Sequence, residues 1–126
     1  MLDTSLDVEK LKKLQFKIMQ DVAASALIPL MRIGDQLGLF QKLSELGPIT
    51  SKKFAEEAKL DERYLREWLY ALSATAFVSY DGVKEEFSLS PEQKAVFADE
   101  EGPANMLGAY EVLAGQVYAE EKVLEA

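Results

Sequence analysis

The sequence predicts a mainly α fold with a small β-hairpin: a winged helix-turn-helix flanked by long N- and C-terminal helices. Two observations predict the winged part, since two amphipathic helical segments follow each other across a tight turn and two short aromatic runs come directly after them. A third observation predicts the flanking helices, because apolar residues recur at helical spacing near both ends of the chain. The 126 residues contain no long linker, which is typical of a single domain.

The first long helix is predicted to start at Asp7, which can cap it, and to kink or end near Pro29, which lacks an amide proton. Its apolar residues recur at steps of three and four and form one stripe: Leu11, Leu14, Ile18 and Val22. The run 27–33 that follows is apolar nearly all round. Such a stretch needs covering on most sides, either by this domain or by a second copy.

A short helical turn is predicted next, over 41–46, and Gly47 and Pro48 should stop it. Gly34 and Gly38 precede it and lie four residues apart. This spacing fits either close packing of two helices or a turn with a helix end. Neither interpretation involves chemistry.

The winged part begins at Thr50, which can cap a helix from Ser51 to about Lys59, and Asp61 can cap the next helix, which runs to about Ala76. The apolar stripe of that second helix is the most regular in the chain: Leu65, Trp68, Leu69, Leu72 and Ala76. We expect Trp68 to lie in the core. The runs 77–80 and 87–89, separated by Asp81, Gly82 and charged residues, predict a hairpin.

Two helices are predicted at the C-terminal end. Ser90, Pro91 and Gln93 form a capping box with proline in the first helical position, which starts a short helix reaching about Ala98. One long helix is then predicted over 104–124, because apolar residues again recur at helical spacing.

Catalytic chemistry has little support in the sequence. The chain has no cysteine and no histidine, which removes thiol nucleophiles, imidazole bases and the usual zinc ligands. Its seven glycines form no glycine-rich turn of the kind that cradles a nucleotide. Its paired carboxylates lie in polar contexts, where nothing would raise their pKa values. We therefore expect no catalytic, cofactor-binding or metal-binding residue in this chain.

The charge distribution bears on nucleic-acid binding. The net charge is −8, and the acidic excess is greatest after residue 90. A DNA-binding winged helix needs cations on its second helix and wing, but Arg63 and Arg66 are opposed by neighbouring acidic residues. A free-standing DNA-binding transcriptional regulator is the alternative interpretation, and nucleic acid is not the expected partner.

Four residues on or beside the first and last long helices are candidates for lining a substrate cavity: Phe16, Met19, Met106 and Tyr110. Ordinary packing or an oligomer interface is the competing explanation for them. The acidic, polar N-terminus does not resemble a secretory signal, so a cytoplasmic location is expected. The apolar stretch 22–31 is too short to span a bilayer.

Several segments in fixed order carry a resemblance to a known family. They are 33–40 (IGDQLGLF), 47–50 (GPIT), 60–69 (LDERYLREWL), 74–81 (ATAFVSYD), 87–92 (FSLSPE) and 98–100 (ADE). Together they resemble the N-terminal winged-helix domain of class I SAM-dependent methyltransferases that act on small molecules. The resemblance covers about residues 8–126, and the segment from Asp61 to Leu69 is its most specific part.

The resemblance implies a division of labour. This domain would form a homodimer contact and a roof over the substrate pocket, while a following domain, absent from this chain, would hold S-adenosylmethionine. The contact would involve the stripe residues Leu11, Leu14, Ile18, Val22 and Leu27. The chain is then a truncated piece without activity of its own, and its small-molecule substrate is reached through the catalytic domain.

The resemblance also divides the single domain 1–126 into three parts. Residues 1–46 would be the dimerisation helices and residues 47–90 the winged-helix core. Residues 91–126 would be the helices that lead to the catalytic domain.

Overall fold

The computed structural model describes residues 4–126, and it confirms the mainly α fold with a small antiparallel sheet. The elements in chain order are α1 (Val8–Ser25), α2 (Leu27–Gln36), α3 (Leu39–Leu46), β1 (Ile49–Thr50), α4 (Ser51–Ala58), α5 (Glu62–Ala74), β2 (Ser79–Asp81), β3 (Glu86–Ser88), α6 (Pro91–Phe97), α7 (Gly108–Tyr118) and α8 (Glu120–Glu125). Helices α4 and α5 with the hairpin β2–β3 form the winged helix-turn-helix.

The first long helix is capped as predicted, because a carboxylate oxygen of Asp7 accepts hydrogen bonds from the amides of Glu9 at 3.0 Å and Lys10 at 3.2 Å. It ends at Ser25, and α2 starts two residues later. The break therefore precedes Pro29 rather than falling on it. The proline ring lacks the amide that would bond the Ser25 carbonyl, so the helix fails four residues before the proline.

The caps of the winged part also follow the prediction. The Thr50 hydroxyl accepts a hydrogen bond from the Lys53 amide at 3.3 Å, and Asp61 accepts one from the Tyr64 amide at 3.2 Å. The Ser90 hydroxyl and the Gln93 side chain form the reciprocal capping box at the start of α6. Each cap satisfies amides that have no partner within their helix, which fixes where the helix begins.

The sheet has a third strand that the sequence does not predict. Strand β3 lies in the middle, with β2 on one side and β1 on the other, both antiparallel to it. Ile49 pairs with Phe87 on one side, and Tyr80 pairs with Phe87 on the other. The Tyr80 ring stacks on Phe87 with ring centroids 4.6 Å apart. The wing is thereby joined to the residues that lead into α4.

The core lies where α2, α3, α5 and α6 meet. Phe40 is fully buried there, and its ring lies 5.3 Å from that of Trp68 and 5.2 Å from that of Phe97. Trp68 is buried as predicted, and its indole N–H donates to the carbonyl of Leu30 at 2.8 Å. This hydrogen bond satisfies the polar end of a core side chain and fixes α5 against α2.

Gly34 lies in α2 directly against the aromatic part of this core. A Cβ atom there would lie 2.6 Å from ring carbons of both Phe40 and Trp68.

Gly34→Ala should therefore lower the free energy of unfolding by about 1–3 kcal/mol, since two buried rings would have to shift. Urea denaturation measures this. Gly115→Ala in α7 is the matched control, because nothing lies within 4 Å of its Cβ position and alanine should stabilise the helix by roughly 0.5–1 kcal/mol. Equal effects of the two substitutions would contradict this packing.

The predicted long C-terminal helix is wrong in two places. Residues 104–107 form a turn instead of a first helical turn: Asn105 donates to the Asp99 carbonyl at 3.0 Å and accepts from the Leu107 amide at 3.0 Å. The helix is also divided, because α7 ends at Tyr118 and α8 begins at Glu120.

An ion pair joins α7 to α2. The guanidinium of Arg32 donates a hydrogen bond to the Glu111 carboxylate at 3.1 Å, and this bond raises the pKa of Arg32.

Candidate interaction surfaces

Helix α1 is long and makes few contacts with the rest of the domain. None of its 18 residues is buried, although it is amphipathic. At about 100° per residue, its apolar side chains are spread over an arc of roughly 200°, from Leu14 through Ile18 and Val22 to Phe16. Gln15 and Lys12 interrupt this arc. An arc of this width is broader than the stripe needed to face one core.

The five predicted contact residues fall into two groups. Leu14, Ile18 and Val22 are 56%, 52% and 63% exposed on α1. Leu11 lies on the same stripe and is half-buried. Leu27 is different, because it is the first residue of α2 and packs against the core of this domain. The structure therefore keeps the α1 stripe together and places Leu27 beside the core instead.

The four candidate cavity residues lie in three places: α1, the turn before α7, and α7 itself. Phe16 and Met19 lie on α1 and are 62% and 67% exposed. Met106 is exposed in the turn before α7, where its amide donates to the Val96 carbonyl at 2.9 Å. Tyr110 packs partly against the core, and this burial raises the pKa of its hydroxyl.

A groove that the sequence does not single out lies between α2 and α5. It has a volume of about 590 Å³, and its walls are mainly apolar: Leu30, Ile33, Leu37, Leu39, Leu60, Tyr64, Leu65, Trp68 and Ala71. Ile33 and Leu37 are half-exposed there, and Tyr64 is largely exposed. Asp61 and Glu67 are the charged residues among its lining in the described chain. None of the four candidate cavity residues lines it.

The sequence indicates one wall of this groove, on α2, but not that α5 supplies the other. The run 27–33 is apolar nearly all round, which indicates that α2 needs covering on more than one side. The other wall comes from the outer face of α5, where Tyr64 stands one turn after the cap. No periodicity in the chain shows that these two faces meet.

The α5 helix and the wing offer few free cations for a DNA backbone. Arg66 forms an ion pair with Glu62 at 3.3 Å, and the Ser51 hydroxyl donates to the same carboxylate. The wing turn carries Lys84 among Asp81, Glu85 and Glu86. This arrangement does not favour DNA binding, since affinity for DNA comes largely from Lys and Arg that neutralise phosphates.

Asp81 organises the wing turn. Its carboxylate accepts hydrogen bonds from the amides of Lys84 at 3.2 Å and Val83 at 2.9 Å, and these bonds hold the pKa of Asp81 below its usual range. Because the native pKa is lowered, the stabilisation is present above the unfolded pKa and is lost as the pH falls through the native one.

We expect an NMR titration of the Asp81 carboxyl to give a midpoint below about 3.9, the ordinary value for aspartate. Asp81→Asn should reduce the loss of stability at pH values below about 4. A midpoint at or above the ordinary value would show that the two amides do not hold the carboxylate.

Residues 4–126 contain neither a metal-binding cluster nor a membrane-spanning helix. No group of three or more acidic side chains in this part of the chain is arranged to hold a metal ion. No helix within these residues has the length and apolar character needed to cross a membrane.

Comparison with known families gives a match over the middle of the chain. The family model described as Rv2258c-like winged HTH domain matches residues 23–98. The chain belongs to this family. The match includes the last three residues of α1, all of α2, the winged part and α6, and it leaves the rest of α1, α7 and α8 outside. No curated protein matches the chain.

Solved structures show the same fold at low sequence identity. LepI in complex with SAM superposes with a TM-score of 0.58 at 18% identity, covering 71% of this chain and 25% of LepI. A LepI variant in complex with SAH and a substrate analogue gives 0.57 at 20% identity, covering 70% of this chain and 24% of that one. A structure described as a pericyclic reaction enzyme gives 0.57 at 19% identity, covering 69% and 24%. The chain thus spans about a quarter of the length of these proteins.

Proposed function

We propose that this chain is the dimerisation and substrate-roof domain of a SAM-dependent methyltransferase, and that it is catalytically inactive by itself. The observation that carries the proposal is α1, an amphipathic helix of 18 residues with no buried residue. A helix gains most of its stability in proteins from packing its apolar face, and α1 has little such packing within one copy. A second copy that covers this face supplies it.

The roof function is supported by the fold and by the exposed side chains. The family match supports the winged fold, and LepI, which has a similar fold over part of its length, is described in complexes with SAM and with SAH. Phe16, Met19 and Met106 present flexible or aromatic apolar surface next to the helices that flank the winged part. Such side chains can cover an apolar methyl acceptor, orient it and exclude water from the reacting groups.

The chemistry itself is assigned to another domain of the full-length protein. There SAM would be bound, and an acceptor atom would attack its methyl group in line. The present chain has no histidine or cysteine, and no glycine-rich nucleotide turn. One neighbour is described as a pericyclic reaction enzyme, and a roof that orients an apolar substrate and excludes water serves that reaction equally well.

Sedimentation equilibrium of the chain tests the dimer on which this proposal depends. We expect twice the monomer mass at micromolar concentrations and dissociation on dilution. A chain that lacks residues 1–25 should sediment as a monomer, because the exposed stripe is removed. A full chain that stays monomeric at the highest soluble concentration would overturn the proposal.

A further inference from the structure

The groove between α2 and α5 is large and apolar, and no residue of α1 lines it. The exposed apolar walls include Ile33, Leu37 and Tyr64, which lie on two different helices. Apolar surface of this kind, shared by two helices, is typical of a site that binds an apolar segment. The groove is therefore a candidate docking site.

The shape of the groove suits a helix. Its two walls are helices, and an amphipathic helix enters such a groove with anchors spaced three, four and seven residues apart. The α1 stripe has this spacing through Leu11, Leu14, Ile18 and Val22. Leu14, Ile18 and Val22 are more than half exposed, so these anchors are free to insert.

The charges of the two surfaces are complementary. The charged groove residues, Asp61 and Glu67, are acidic, whereas α1 has four lysines and two acidic residues in a chain of net charge −8. Lys10 and Lys17 lie along one edge of the α1 stripe, about 10 Å apart along the helix axis. Within one copy Lys10 pairs with Asp7 at 3.8 Å and Lys17 pairs with Asp21 at 2.6 Å, and exposed ion pairs of this kind are weak enough to exchange partners. The excess positive charge of α1 therefore suits the acidic lining of the groove.

We propose that α1 of a second copy lies in the groove between α2 and α5, and that the exchange is reciprocal. This inference rests on the proposed function, because it names the surface that receives the dimerisation helix. A twofold axis makes the contact occur twice, since each copy both gives its α1 and receives the partner's. Both otherwise exposed apolar surfaces are then covered in one assembly.

Cross-linking between copies tests the placement, and the chain is suited to it because it contains no cysteine. Ile18→Cys is made in one copy that carries a mass tag, and Ile33→Cys or Leu37→Cys is made in an untagged copy. After the two are mixed, exchanged and treated with a short bismaleimide, we expect a tagged-untagged product for both pairs. Val83→Cys, whose side chain is 95% exposed on the wing, is the matched control and should give little product with Ile18→Cys.

The outcomes separate this inference from the dimer itself. Products of Ile18→Cys with Ile33→Cys or Leu37→Cys, at least several-fold above the Val83→Cys control, support the groove. A dimer in which Ile18→Cys links to itself but not to the groove positions overturns the inference and leaves dimerisation intact. A dimer with no such link at all, as when a small molecule fills the groove, also overturns it. Monomers in sedimentation remove both proposals.

Discussion

Phe40→Ala should lower the free energy of unfolding by about 3–5 kcal/mol, the largest change expected from a single substitution in this chain. Phe40 is fully buried between the rings of Trp68 and Phe97. Removing its ring leaves a cavity that rigid neighbouring side chains cannot fill, and it also removes two aromatic contacts. The loss is comparable to the whole stability of many small domains.

Urea denaturation at one fixed protein concentration measures this effect, because the proposed dimerisation would make stability depend on concentration. Val83→Ala is the control, since the side chain is almost fully exposed and its removal should change stability by less than about 0.5 kcal/mol. A loss below about 1 kcal/mol for Phe40→Ala would contradict the core described above.

Leu14→Glu combined with Ile18→Glu should convert the proposed dimer to a monomer without unfolding the domain. Both side chains are exposed in one copy, and glutamate is a good helix former, so α1 should persist. Two unpaired carboxylates in an apolar interface cost at least about 3 kcal/mol. That corresponds to at least about a hundredfold rise in the dissociation constant.

The matched control is Lys13→Gln combined with Gln20→Glu, which changes the net charge by the same amount on the opposite side of α1. Size-exclusion chromatography with light scattering should find a dimer for the control and a monomer for the glutamate pair. Circular dichroism should show the same helix content for both. A glutamate pair that dimerises as tightly as the unaltered chain would show that the stripe is not the contact.

The features that the sequence predicts well are local ones. Thr50, Asp61 and Ser90 cap their helices within three residues of themselves, so no distant contact is needed to identify them. The burial of Trp68 also follows from one helix, because it lies in the middle of an unbroken apolar stripe.

The features that the sequence does not predict depend on tertiary contacts. Strand β1 has two residues, too few for an alternating pattern, and it exists because Ile49 and Thr50 pair with β3. The predicted last helix starts too early, because Asn105 holds a turn through the Asp99 carbonyl.

The interaction surfaces can be predicted from the sequence only in part. The apolar stripe of α1 is visible in the sequence, but the sequence does not show that the stripe stays uncovered within one copy. The groove is visible only once Ile33 and Tyr64 are brought onto facing helices by the fold. Surfaces that belong to two helices are set by packing, which no single periodicity encodes.

In the proposed function, this chain provides the dimer contact and covers the substrate, and SAM binds to another domain. Isothermal titration calorimetry of the chain with SAM tests this assignment most directly. We expect no binding heat beyond dilution, because the chain has no glycine-rich turn to cradle a nucleotide. Saturable binding of SAM with micromolar affinity and a stoichiometry of one per chain would contradict it.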